Sequence, residues 1–163
     1  MSFPPEKLAE FEFLYGLYAD KLYRIALSNL QHQEDASDIV HDVFIKYLNT
    51  APAFKDAKHQ EGWFVTVTVN ACRDLLKKKA HRSYTPIEEV HNLKAEEKEE
   101  SDIVSFLSQL PEKYREVIIL HYLEDYSVSE TAKLLKISQS AVKMRLSRGR
   151  ELLKNIMKGN SND

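Results

Sequence analysis

The residues of this 163-residue chain that could do chemistry gather at three places. Near the C-terminal end, Gln139, Ser140, Lys143, Met144, Ser147 and Arg148 fall at helical spacing opposite Val142, Leu146 and Leu153. Lys and Arg on such a face reach phosphates and guanine edges, while Gln, Ser and Met touch bases through hydrogen bonds or apolar contact. In the middle, Arg73, Lys77, Lys78, Lys79 and Arg82 crowd a stretch whose one acid is Asp74. Earlier still, Asp35, Asp38 and Asp42 stand three and four residues apart, which puts their carboxylates on one side of a helix and suits a basic partner surface. Between the two basic stretches, Glu88 to Asp102 carries seven acids against two lysines. A formal net charge of −2 therefore hides strong segregation, and two basic patches divided by an acidic segment point to two contacts on one polyanion. Charge alone leaves solvated helix faces open as the alternative.

Catalytic chemistry finds little support. The six histidines (His32, His41, His59, His81, His91, His121) form no His-x-x-x-His pair, and Cys72 stands alone. Gly16, Gly62, Gly149 and Gly159 are isolated, so no phosphate-cradling loop exists. A binding protein is expected, not an enzyme, with no metal and no cofactor. No run approaches about 18 apolar residues, so no membrane insertion is expected. Met1 to Glu6 lacks the basic and apolar regions of a secretory signal, and a single cysteine fits a reducing compartment. These features together lead us to expect a cytoplasmic protein.

The elements that must position these residues read as helices throughout. Leu8, Phe11, Tyr15, Tyr18, Leu22 and Ile25 make one apolar stripe of a long first helix. A second runs from Glu34 to Leu48, with Ile39, Val43, Ile45 and Leu48 as its apolar side, and Pro52 marks the break after it. Gln60 to Lys79 is ambiguous locally, because Val65, Val67 and Val69 alternate with threonines as in a strand. Trp63, Val67, Ala71 and Leu75 fall four apart, and the length of the segment decides for a helix. Ser83 to Ser101 shows no apolar stripe and reads as an exposed acidic linker. Four short helices follow, with breaks at Pro111, before Ser127, and at Lys136-Ile137-Ser138. Ser127-Val128-Ser129-Glu130 has the form of a capping box, and Ser138 can cap the last helix. A short capped helix, a tight turn and a longer basic helix make a helix-turn-helix. An ordinary helical hairpin with a basic surface remains the plainer reading of that pair.

The order of these segments resembles a known family. Asp35-Ala36-Ser37-Asp38-Ile39-Val40-His41-Asp42-Val43-Phe44 is similar to the second conserved region of bacterial sigma factors. Trp63 to Arg82 looks like the promoter-melting part of that region, and Leu110-Pro111-Glu112-Lys113-Tyr114-Arg115 through Arg150 resembles the fourth conserved region. The chain is identified as a member of the extracytoplasmic-function (ECF, group 4) sigma factors of the sigma-70 family. The resemblance implies an all-α protein of two small helical domains, residues 1–82 and 102–163, joined by a flexible acidic linker over 83–101. It implies that Asp35, Asp38, Asp42 and Phe44 dock on the clamp helices of the polymerase β′ subunit, and that the second domain meets the β flap. His59, Gln60 and Glu61, in a loop before the melting helix, would meet a flipped −10 base. Asn70, Arg73, Asp74, Lys77, Lys78 and Arg82 would follow the single strand, and Gln139, Ser140, Lys143, Met144, Ser147 and Arg148 would read the −35 element. The partners implied are core RNA polymerase, promoter DNA and an anti-sigma factor.

Some positions depart from the family pattern. Thr66-Val67-Thr68 replaces an Arg-Ile-Ala step, Ser140-Ala141 a Gly-Thr pair, Met144 a serine, and Lys136 a glycine that would take a positive φ freely. Two rivals stand beside the sigma reading. One is a self-sufficient helix-turn-helix regulator whose residues 1–82 sense or dimerise, and the other is a degenerate sigma-like protein that only occupies a partner.

Overall fold

The computed structural model describes residues 4–50, 52–82 and 98–161. Among them there is no strand, and the order is α1 (Pro5–Leu30), α2 (Gln33–Thr50), α3 (Ala57–His81), α4 (Lys98–Ser108), α5 (Glu112–Ile118), a π-helical turn (Ile119–Leu123), α6 (Val128–Leu135) and α7 (Gln139–Ser161). None of the described helices is long and apolar enough to cross a membrane. Most of the expected linker, residues 83–97, lies outside the described residues, and α4 begins at Lys98 within the last residues of that segment.

Helices α1, α2 and α3 make the first domain. Proline at the first position of α1 starts it without sacrificing a hydrogen bond. Gln31 ends it in the left-handed region at φ 64°, its N–H donating to the Leu27 carbonyl at 2.8 Å. The buried line on α1 is Leu14, Tyr18, Leu22 and Ile25, whereas Leu8 and Tyr15 of the expected stripe are exposed. A 3-4 spacing drifts by about 20° per heptad around a helix of 3.6 residues per turn, so the stripe leaves the core toward its N-terminal end. On α2 the buried residues are Ile39, Val40, Val43, Phe44 and Tyr47, while Ile45, expected inside, is 53% exposed. Phe64 is the centre of the packing, with Tyr18, Phe44 and Trp63 at centroid distances of 5.0, 5.1 and 5.1 Å.

The valine-threonine alternation lies within α3, so packing outweighs the strand-like pattern. Thr68 shows how: it is fully buried, and its hydroxyl donates to the Phe64 carbonyl at 2.8 Å. Asp56 caps α3 by accepting from the His59 N–H at 2.8 Å.

The second domain is α4 to α7. Ser127 and Glu130 form the expected capping box, with Ser127 Oγ accepting from Glu130 N at 3.0 Å and Glu130 Oε1 accepting from Ser127 N at 2.9 Å. Lys136 ends α6 at φ 58°, a left-handed position that costs a non-glycine residue on the order of 1 kcal/mol. Ser138 Oγ accepts from Ala141 N at 3.0 Å and opens α7. Val142 and Leu146 are buried and Leu153 half-buried, as their spacing requires. Gly149 lets α7 cross α5 closely, since a Cβ there would stand 3.2 Å from Ile118 Cγ1. Val117 and Ile118 at the end of α5 and Ile119 and Leu120 of the π-helical turn are buried consecutively, and Leu123 is 41% exposed.

The two domains pack against one another. α1 touches α4, α5 and the π-helical turn, α3 touches α6, and the buried apolar residues of both halves form one cluster.

Candidate polymerase and promoter surfaces

The acidic side of α2 divides. Asp38 and Asp42 are exposed, whereas Asp35 is half-buried and ion-paired with Lys79 of α3, and its backbone N–H donates to His32 Nδ1 at 3.3 Å. Phe44, expected on the same docking surface, is 2% exposed and surrounded by Phe11, Tyr15 and Phe64. Burial of a large aromatic ring removes it from any partner's reach, so Phe44 supports the acidic face from beneath. Tyr47, one turn on, donates to Glu10 Oε1 at 2.8 Å, and burial followed by that carboxylate pushes its phenol up to about 12.

Along α3 the structure corrects one placement. His59, Gln60 and Glu61 are the third to fifth residues of the helix, because Asp56 caps it and Ala57 starts it. His59 is exposed, accepts from Lys55 N at 3.1 Å and meets the Phe54 ring edge-on. Gln60 Oε1 accepts from Tyr18 OH at 3.0 Å. Glu61 accepts from Tyr126 OH of the second domain at 2.9 Å and lies 3.7 Å from Lys21 Nζ. Arg73 holds Glu116 of α5 in a two-pronged pair, both bonds at 2.7 Å, with Glu112 at 3.6 Å. These partners, Glu116 first, raise the affinity of its guanidinium for the proton. Asn70 accepts a longer bond from Arg73 at 3.4 Å. Asp74, Lys77, Lys78 and Arg82 are exposed toward the end of α3. Trp63 is half-buried against Tyr47 and Phe54. Cys72 is buried, which pushes its thiol up to about 12.

On α7 all six predicted reading residues are exposed: Gln139, Ser140, Lys143, Met144, Ser147 and Arg148. Met144 is 69% exposed, unusual for an apolar side chain on a helix that buries Val142 and Leu146. Arg148 makes one bond along its own helix, to Glu151 at 3.2 Å. Sequence reasoning missed the groups of the second domain that meet α3, namely Glu112, Glu116, Tyr126 and the Leu134 carbonyl, which accepts from Thr66 Oγ1 at 3.0 Å. Arg115, in the Leu-Pro-x-x-x-Arg opening, is structural: it is buried and donates to Asn29 Oδ1 at 3.2 Å and to the Leu110 carbonyl at 3.1 Å.

An acidic-faced helical domain with a basic helix edge, followed by a capped helix-turn-helix domain with an open polar face, defines a two-domain promoter-binding architecture. Residues 14–82 match the family model for Sigma-70 region 2, and residues 101–153 match that for Sigma-70, region 4. RNA polymerase sigma factor SigV of Bacillus subtilis is 29% identical over 135 residues, covering 81% of either chain. ECF RNA polymerase sigma factor SigM of Mycobacterium tuberculosis is 25% identical over 150 residues, covering 90% of this chain and 76% of that one. Among solved structures, the sigma factor RpoE of Bartonella quintana, in complex with the anti-sigma factor NepR, shares the fold with a TM-score of 0.73 at 21% identity, covering 91% of this chain and 97% of that one. The chain belongs to the sigma-70 family and is an RNA polymerase sigma factor of the ECF type. A self-sufficient regulator with a sensing first half is not favoured, because that half is a sigma region 2.

Proposed function

We propose that this ECF sigma factor, of group 4, works in the cytoplasm through three separate surfaces. Asp38 and Asp42 on α2, flanked by Asp35, present the carboxylates that meet a basic surface on the polymerase clamp, with Phe44 holding α2 in place. The start and the basic edge of α3, from His59 to Arg82, take the −10 strand, its cations on phosphates and Asn70 on the strand between them. The face of α7 from Gln139 to Arg148 enters the duplex at the −35 element. The observation that carries this reading is the α7 face: six polar or polarisable side chains stand exposed in one row, directly behind the buried Val142 and Leu146. Domain boundaries at residues 1–82 and 102–163, with 83–101 between them, follow the same division of labour. Nothing in the mechanism requires catalysis; linking two weak DNA contacts on the polymerase raises effective concentration and hence selectivity. Regulation by an anti-sigma factor is in keeping with the fold shared with RpoE.

The test is Asp38→Arg with Asp42→Arg. Both side chains are exposed, so circular dichroism should be unchanged while pull-down with purified core polymerase and transcription in vitro are lost. Undiminished polymerase binding by the folded double variant would remove this face from the interface. A wild-type protein that binds polymerase but starts no transcript would instead favour a sigma-like competitor.

A further inference from the structure

We propose that the outer face of α1 is a docking site for a basic, amphipathic helix of a partner protein, separate from the surfaces assigned to polymerase and to promoter DNA.

Phe13 and Leu17 carry the argument. They are 68% and 55% exposed, although the same helix buries Leu14, Tyr18, Leu22 and Ile25. Large apolar residues exposed singly need no explanation, but two of them one helical turn apart form a single patch. Gly16 lies beside them, three residues after Phe13, and a Cβ built there would meet nothing within 4 Å. Glycine inside a helix lowers its stability relative to alanine, and here no neighbour fills the space of the missing methyl. What the glycine offers is a close approach from outside, where another backbone can cross α1 with Phe13 and Leu17 as apolar walls. A helix fits that surface, because a ridge of its side chains enters the groove between rows spaced three and four residues apart.

Charge selects the occupant. Glu6 and Glu10 precede Phe13 along the same row, and Asp20 follows Leu17, all three exposed. Glu10 keeps one carboxylate oxygen on Tyr47 OH, and Arg24, the next cation along the row, is paired with Glu124 at 2.9 Å. The row is therefore apolar at its centre and acidic at both ends, which suits an apolar helix flanked by lysines or arginines. Nucleic acid and anionic membrane are repelled by the same carboxylates. A second copy of this chain fits poorly, since antiparallel α1 helices crossing at Gly16 would set Asp20 against Glu12. Phe13 and Tyr15 stand about 160° apart around the helix. Tyr15 packs on Phe44 of α2 at a centroid distance of 5.0 Å, so the patch faces away from that packing and a helix seated on it leaves Asp38 and Asp42 uncovered.

The probe is a fluorescent synthetic peptide of about 18 residues, with leucines at helical spacing and lysines beside them, titrated against the full chain. Saturable binding should appear below about 100 μM, with backbone NMR shifts centred on Phe13, Gly16 and Leu17. Phe13→Ala with Leu17→Ala should weaken it at least about tenfold while leaving circular dichroism unchanged, because both side chains are exposed. Glu6→Gln with Asp20→Asn should weaken it about threefold to fivefold and reduce its salt dependence. Gly16→Ala should raise the melting temperature of the protein by about 2–4 °C yet weaken the peptide at least about threefold. Peptide binding that Gly16→Ala leaves untouched would overturn the close crossing. No saturable binding at millimolar peptide, shifts centred on Asp38 and Asp42, or an affinity that survives the Phe13 and Leu17 replacements would each overturn the proposal. So would a dimer of the chain that the same double replacement dissolves, because the patch would then be a self-interface. The peptide is bound without polymerase or promoter, so a failure here leaves the promoter assignment standing.

Discussion

Arg73 on α3 and Arg148 on α7 are both guanidinium groups on the working side of a long helix, yet their surroundings differ. The Arg73 side chain is 30% exposed and clasps Glu116, itself 3% exposed, across the domain interface. Arg148 is 52% exposed and reaches only Glu151, three residues on, at 3.2 Å. The first contact is partly shielded from water and joins the two domains, so it enters the stability of the packed protein. The second is an exposed ion pair within one helix, worth a few tenths of a kcal/mol at most. One of the two helices proposed to read DNA is thus wired into the fold, and the other is displayed on it. Substitutions on α3 should report on stability and function together, whereas those on α7 should separate the two.

The largest expected contrast sets Phe44 against Met144. Phe44→Ala empties the middle of the aromatic cluster beneath the acidic face, at a cost of about 3–5 kcal/mol. Met144, at 69% exposure, should change stability by less than about 0.5 kcal/mol when replaced by alanine. Urea denaturation followed by circular dichroism measures both. If Phe44→Ala lost polymerase binding while retaining full stability, Phe44 would be a contact after all, and the division between scaffold and surface on α2 would fail.

A smaller contrast compares the two arginines directly. Arg73→Ala leaves Glu116 buried without its partner, and after allowing for the partial exposure of Arg73 the expected cost is about 1–3 kcal/mol. Arg148→Ala should leave stability within about 0.5 kcal/mol of the parent. In a promoter-library transcription assay it should relax one −35 position, by about 1–3 kcal/mol, if it reads a base. A uniform drop across all −35 variants, with the salt slope lower by about one, would make Arg148 a phosphate anchor instead. Equal thermal stability of the two variants would erase the comparison.

What was legible in the sequence was local. The capping box at Ser127 and Glu130, the cap at Ser138 and the open face of α7 all depend on neighbours within four residues, where helical geometry is fixed. The helix over the valine-threonine run was legible from length and four-residue spacing, against the local alternation. Ile45 was misplaced because one residue is a turn of about 100° on a helix, enough to carry a side chain from core to solvent between Phe44 and Ile45. The start of α3 was missed because the cap is Asp56, which ordinary loop composition disguises. The domain interface left no trace at all: Arg73 and Glu116 lie 43 residues apart, and Tyr126 and Glu61 lie 65 apart. Pairs that distant carry no periodic signal, and in sequence each looked like one more surface charge or aromatic.

The smallest expected effect tests where a local motif meets that interface. Glu130 completes the capping box and also stands 3.4 Å from Lys58 of α3. Its carboxyl is held below the usual carboxylate range, first by the Ser127 N–H, then by the Ser127 hydroxyl, with Lys58 contributing less. A carboxyl whose folded pKa is depressed stabilises the protein above its unfolded pKa and loses that contribution as pH falls through the folded one. Stability should therefore decline on acidification through and below the ordinary carboxylate range. The side chain is about a third exposed, so solvent screening limits the contribution of this group to about 0.5–1 kcal/mol, the scale of a single cap. Glu130→Gln should remove this component of the pH dependence, and Lys58→Ala should leave most of it in place. Thermal denaturation across a pH series, compared among the parent and the two variants, reads the difference. If Lys58→Ala flattened the profile as fully as Glu130→Gln, the carboxylate would be serving the interface more than the cap, and α6 would join α3 among the elements whose local chemistry is tied to domain closure.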